Sequence, residues 1–233
     1  MITHNFIIAG CDTDSIAFSK PDGSPFTTIE QEDLLKDLNF QFPEKIHWEH
    51  DGIYDKMIVL KAKNYILYQN GKIKKKGSSL KSSKTEKGLR DFMSEIIDCL
   101  IFDKTGELIS VYHKYVKEVF NVKDISRYSS KKTITSKVLD AERTTEVKIL
   151  AALEGAQAQM GDKYYMYFAL DKSLKIQENW NINAPDHDPE VLLAKLYKTL
   201  LIFQNVIDIK LFPKYYLKNK KIREELKKVL DGI

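Results

Sequence analysis

Two carboxylates one residue apart, Asp12 and Asp14, lie in the run Asp12-Thr13-Asp14-Ser15, between the apolar, β-prone segments 5–9 and 15–19. That arrangement predicts a β-hairpin with acidic residues at its tip. Residues i and i+2 of a strand point to the same side, so two carboxylates placed this way can converge on a cation. Magnesium suits the donor set, because it takes hard oxygen ligands and needs only one or two protein carboxylates beside substrate phosphates. A pair of such ions can clamp an in-line phosphoryl displacement. Asp, Thr and Ser are also ordinary turn residues that bond their own backbone, and the four residues alone leave both readings open.

A second chemical feature is cationic. Lys61-Ala62-Lys63-Asn64-Tyr65-Ile66-Leu67 is followed by the hairpin signal Asn70-Gly71 and then by Lys72-Ile73-Lys74-Lys75-Lys76-Gly77. A basic hairpin beside an acidic metal site suits a nucleic-acid backbone, since each lysine placed near a phosphate releases counterions and adds salt-sensitive affinity. A solvated edge strand that uses lysines to deter pairing has the same composition. Farther along, Lys131 and Lys132 with Ser129, Ser130 and Thr133 are the side-chain types that contact phosphates, and equally the types of an exposed loop. His4, His47, His50, His113 and His187 have no metal-ligand spacing and read as surface or packing residues. Cys11 and Cys99 form no disulfide framework and no metal set, which fits a reducing compartment.

The elements that must position these residues follow from apolar period and turn chemistry. A loop with Pro21, Gly23 and Pro25 precedes a helix over 29–40, with Thr28 as its cap and Ile29, Leu34, Leu35 and Leu38 near one face. Strand-like runs occupy 53–54, 57–60, 65–68 and 72–76. Beyond residue 83 helical stripes take over: 88–102, with Leu89, Phe92, Ile96, Ile97 and Leu100 in register, then 107–119, 144–160, 189–206 and 220–230, with one short strand over 164–170. Strands first and helices afterwards predict an α+β chain with a boundary near residue 80, not an alternating one.

The 233 residues carry a net charge of +4 with 43% hydrophobic and 30% charged residues, an ordinary globular mixture. No stretch approaches the roughly 18–20 apolar residues of a membrane span, and residues 1–10 lack the basic and apolar regions of a secretory signal. A soluble, cytoplasmic protein is expected, with no membrane partner.

The segment Ile7-Ile8-Ala9-Gly10-Cys11-Asp12-Thr13-Asp14-Ser15-Ile16 resembles motif C of family B DNA polymerases. Cys11 stands where most members have glycine, and Gly10 where they have tyrosine. Lys63-Asn64-Tyr65 resembles the lysine–tyrosine segment at the palm–thumb junction, with Ala62 and Asn64 replacing two basic positions. Lys76-Gly77 resembles the Lys-Gly segment that follows it, and Lys81-Ser82-Ser83 extends the likeness toward T-even-like phage and split polymerases. The resemblance implies a β-rich partial palm of antiparallel hairpins over 1–80, followed by a mostly helical thumb over 81–233. It implies that Asp14, supported by Asp12, holds two Mg2+ ions together with a carboxylate outside this chain, and that Thr13 and Ser15 lie by the incoming nucleotide. Lys63, Tyr65, Lys74, Lys76, Gly77, Lys81, Ser82, Lys131 and Lys132 would meet DNA, with Lys63 at the minor-groove edge of the new duplex and Tyr65 near the primer terminus.

The activity implied is DNA-directed DNA polymerisation, and the partners are primer–template DNA, dNTP, a sliding clamp, and an N-terminal half bearing exonuclease, motif A and fingers. Only eleven residues precede Asp12, so those parts are expected elsewhere. Met1 directly before the palm strand favours a separately encoded subunit of a host or phage replication enzyme over a truncated piece, and the isolated chain is expected to be inactive. Two rival readings are a non-catalytic DNA-binding or processivity subunit with a vestigial metal site, and a stand-alone metal nuclease.

Overall fold

The computed structural model describes residues 5–12, 14–81, 85–154, 157–215 and 220–231. Thr13, Ser82, Ser83 and Tyr216 lie outside the described residues. The chain divides into two compact units, Met1–Lys81 and Ser82–Ile233.

The first unit opens with strands β1 (Ile7–Asp12) and β2 (Ser15–Ser19), an antiparallel pair in which Asp12 faces Ser15. The register slips between Ile8 and Gly10, a bulge. Phe6, Phe18 and Phe26 gather at the open end of the hairpin, with ring centroids 5.1–5.8 Å apart. Helix α1 (Thr28–Phe40) follows, capped by Thr27 and not by Thr28. A capping box needs Glu or Gln three residues after the cap; Thr27 has Glu30, while Gln31, three after Thr28, spends its side chain donating to the Phe26 carbonyl (2.9 Å). The Glu30 amide donates to Thr27 Oγ1 (3.3 Å), and Glu30 Oε2 accepts from the Thr27 amide (2.7 Å). After α1, the Asn39 side chain holds the Trp48 backbone by donating to its carbonyl (3.0 Å) and accepting from its amide (2.6 Å).

The 53–54 run forms no strand. Strands β3 (Lys56–Lys61), β4 (Asn64–Gln69) and β5 (Lys72–Lys76) make an antiparallel meander in that order. Asn70 and Gly71 join β4 to β5 with φ of 49° and 77°, the double left-handed turn that this dipeptide predicts. Leu60, Ile66, Leu67 and Leu80 are the buried apolar residues of this unit among those described.

The second unit is built on three helices, α2 (Lys87–Ile101), α3 (Leu108–Phe120) and α6 (Pro189–Leu200). Phe92, Ile96 and Ile97 of α2, Tyr112, Tyr115 and Val116 of α3, and Leu196 and Leu200 of α6 are all buried. The apolar stripe therefore works as the sequence predicts. Helix α6 stops at Leu200 and continues as a short 3₁₀ turn, not as an α-helix to 206. The C-terminal helix α7 (Lys220–Asp231) lies on α3 with Leu226 buried.

Between α3 and α6 comes a small layered insert. Strands β6 (Ser130–Thr133), β7 (Lys163–Phe168) and β8 (Leu174–Ile176) form an antiparallel sheet in that order. Helices α4 (Ser136–Leu139) and α5 (Thr144–Ala152) contribute to its core of Ile134, Val138, Ile149, Leu153, Met166 and Leu174. Helix α5 is shorter than the 144–160 expected: Leu153, already past its end, turns into this core, and Glu154-Gly155 offers the helical period no further apolar partner. Antiparallel sheets combined with helices make the chain α+β.

Candidate active site and nucleic-acid interface

Asp12 is the last residue of β1, and Asp14 lies in the turn that leads to Ser15, the first residue of β2. The carboxylates are thus brought to one tip by the turn and not by strand alternation, which corrects the i, i+2 argument. Asp12, Asp14 and Ser15 are all exposed. Nearby, the Lys63 ammonium lies 3.4 Å from Asp12 Oδ1. Hairpins β1–β2 and β3–β4, separated by some forty residues of sequence, therefore meet at an acid–base pair that their local patterns do not reveal. A Cβ on Gly10 would lie 3.4 Å from Met57 Cε, an ordinary contact where β1 runs beside β3.

Lys63 occupies the β3–β4 turn with φ of 59°, a left-handed conformation that costs a non-glycine residue roughly 1–2 kcal/mol. Asn64, next in sequence, is buried. Its Nδ2 donates to the Ala62 carbonyl (3.0 Å), and its Oδ1 accepts from the Ser79 amide (3.1 Å). Gly77, with φ of 102°, slides beneath this arrangement: an added Cβ would fall 2.4 Å from both Asn64 Oδ1 and the Lys63 carbonyl oxygen. The Lys-Gly pattern read as a DNA contact thus has a steric reason within the fold.

Cross-strand partners share a face. Tyr65 pairs with Lys76, Leu67 with Lys74, and Gln69 with Lys72, so three lysines alternate along the outer strand β5 at about 6.8 Å intervals on the side that carries Tyr65. Lys74 leans on Tyr54, with its ammonium 5.9 Å from the ring centroid. Tyr65 is half-buried, and Lys81 is exposed.

In the second unit, β6 pairs Lys131 with Tyr165, Lys132 with Tyr164 and Thr133 with Lys163. Tyr164 packs on the insert's core, so Lys132 lies on the core-facing side and is half-buried. Lys131, Thr133, Lys163 and Tyr165 make the exposed side; Lys163 and Tyr165, in a run that resembles family thumb positions, were assigned no DNA contact from the sequence. Their period of two was the available signal. Ser129 and Ser130 are buried, and Ser129 Oγ donates to the Ile125 carbonyl (2.9 Å). Buried, they fit neither of the two readings left open, the phosphate contact or the exposed loop.

As a metal centre the hairpin tip is suitable but incomplete. Two exposed hard-oxygen ligands fit a magnesium ion that keeps waters and takes substrate phosphates. Among the described residues no group of three or more His, Cys, Asp or Glu could hold a metal. Further protein ligands would have to come from outside this set. Among the same residues no helix is long and apolar enough to cross a membrane.

No protein-family model matches the sequence, and no curated protein does. Solved structures do. The family B DNA polymerase of the hyperthermophilic archaeon Pyrobaculum calidifontis superimposes with a TM-score of 0.67 at 13% identity, over 87% of this chain. The match spans only 27% of that polymerase. The fold is therefore that of part of a family B DNA polymerase.

Proposed function

We propose that this chain is the C-terminal part of a family B-type DNA polymerase, with the second half of the palm in residues 1–80 and the thumb in residues 81–233. The observation that carries the reading is the Asp12–Lys63 pair, 3.4 Å apart, where an acidic hairpin tip meets a basic hairpin, within a fold shared with a polymerase.

Asp14 and Asp12 would hold two magnesium ions together with a carboxylate outside this chain. Bound there, the ions supply Lewis acidity toward the phosphoryl oxygens and the attacking hydroxyl. The chain's own residues position the rest. Ser15, exposed at the start of β2, would lie by the nucleotide together with Thr13, as the resemblance implies. Lys63, Lys74, Lys76 and Lys81 would neutralise phosphates beside Tyr65 and Gly77, and Ser82 joins them as the resemblance implies. Lys131 would add a phosphate contact of its own in the second unit, with Lys132 contributing less because it lies on the core-facing side of β6. In the reaction the primer 3′-oxygen bonds to the α-phosphorus, and the bond to the leaving pyrophosphate breaks.

The first unit also leaves apolar side chains open to a further segment of chain. Ile7 (54%), Ile8 (64%), Ile29 (72%) and Phe40 (92%) are exposed, and β1 and β2 pair only with each other among the described residues. A two-stranded ribbon of this kind is marginal alone. The occupant we assign is the N-terminal palm segment, which would fall in the 73% of the polymerase that this chain does not span.

Primer extension with Mg2+ and dNTPs tests the reading in three arms: the chain alone, the chain with the N-terminal half from the same source, and that mixture with Asp14→Asn. Activity in the second arm, with a loss of at least a hundredfold in the third, is expected. Undiminished activity with Asp14→Asn would leave a non-catalytic DNA-gripping subunit, and Mg2+-dependent DNA cleavage by the chain alone would point to a nuclease.

A further inference from the structure

We infer that Asn64 is a positioning residue whose buried amide fixes the turn that delivers Lys63 to Asp12; its importance for catalysis rests on the polymerase reading, while the geometry does not. Three observations converge on it. Asn64 is 6% exposed, and both ends of its amide are engaged, the donor on the Ala62 carbonyl and the acceptor on the Ser79 amide. Lys63 adopts φ of 59°, a conformation that persists only where neighbouring contacts over-determine it. The Asn64 bond to the carbonyl just before Lys63 does this from one side. From the other, Gly77 leaves room for Asn64 Oδ1 and the Lys63 carbonyl at a place where any side chain would collide.

The sequence comparison treats Asn64 as a lost basic contact. Buried and bonded through both Nδ2 and Oδ1, its amide is turned into the fold and away from any phosphate at the surface. Its work is to join two backbone segments: the β3–β4 turn through Ala62, and the exit of β5 through Ser79, where Gly77 leaves it room. Lys63 is 73% exposed in its side chain and lies 3.4 Å from Asp12 Oδ1. A freely rotating lysine gains little from such a pair, so holding it there requires its backbone to be aimed. Asn64 therefore couples the basic hairpin to the acidic tip through backbone geometry, without touching either charge.

A zero-length carbodiimide crosslink reads this contact directly, because it joins a carboxylate to an amine only when the two touch. In the full 233-residue chain we expect a Lys63–Asp12 crosslinked peptide by mass spectrometry. The yield should fall at least fivefold in Asn64→Ala and in Gly77→Ala, with far-ultraviolet circular dichroism unchanged. Asn64→Asp keeps the acceptor for Ser79 but loses the donor to Ala62. It should give the same loss, and it substitutes for Asn64→Ala if that variant does not fold. Full crosslinking in a folded Asn64→Asp chain, or none in the native chain, would overturn the inference. Primer extension by the assembled native enzyme is scored separately: failure there with the crosslink pattern intact rejects the polymerase role and leaves Asn64 as the positioning residue.

Discussion

A lysine's place on the pleat decides what it can touch. Lys76 lies on the Tyr65 side of an outer strand, whereas Lys132 turns toward the insert's core with Tyr164. Duplex-DNA affinity measured across salt concentrations should therefore distinguish them. Lys76→Met is expected to reduce the slope of log K against log salt by about one, and Lys132→Met by clearly less. Equal slopes for both variants would remove the face assignment. His113 offers a second test. Burial, with some help from Lys117, holds its pKa below the ordinary value, and it bonds Tyr215 Oη at 3.2 Å. A histidine with a depressed folded pKa leaves stability intact above its unfolded value of about 6.5. That stability is lost as pH falls through the folded value, since the unfolded chain takes the proton first. Melting temperature between pH 8 and pH 5 should drop more steeply in the native chain than in His113→Gln, and parallel curves would show that His113 is not responsible.

Elements were legible wherever local chemistry and tertiary packing agree. The Asn70-Gly71 turn needs no long-range help. The stripe from Leu89 to Leu100 is a core face in any helical packing, and all five of its named residues are buried. Strands β6 and β8 were missed because Ser130–Thr133 and Leu174–Ile176 are three or four residues long and exist as strands only by pairing with β7. The acidic tip was readable from spacing, but the Lys63 contact was not, since it depends on how two hairpins pack. Helix α1 shows how finely a cap can be resolved once its partner is seen. Thr27→Ala should cost about 1 kcal/mol in chemical denaturation of the first unit, while Thr28→Ala, at the first helical position, should cost less. The bond from Lys20, then those from Thr27, hold the Glu30 carboxyl down at about 2. The contribution of this cap should therefore survive mild acid and fade only between about pH 4.5 and pH 2.

At the scale of the whole molecule the apolar surface is unevenly spent. Four buried apolar residues serve the described part of the first unit, and the remaining 32 belong to the second. Ile7, Ile8, Ile29 and Phe40 are left open to solvent. Exposed apolar patches and unpaired strand edges drive association. The isolated chain is expected to self-associate in sedimentation velocity at micromolar concentration, and Ile8→Ser with Phe40→Ser should reduce that association. A monodisperse native chain would show that this surface is not adhesive.

The unequal division of core also bears on how the protein is made. Synthesis delivers residues 1–81 before residues 82–233, so the stretch with the least interior of its own leaves the ribosome ahead of the stretch that folds around a full aromatic and aliphatic centre.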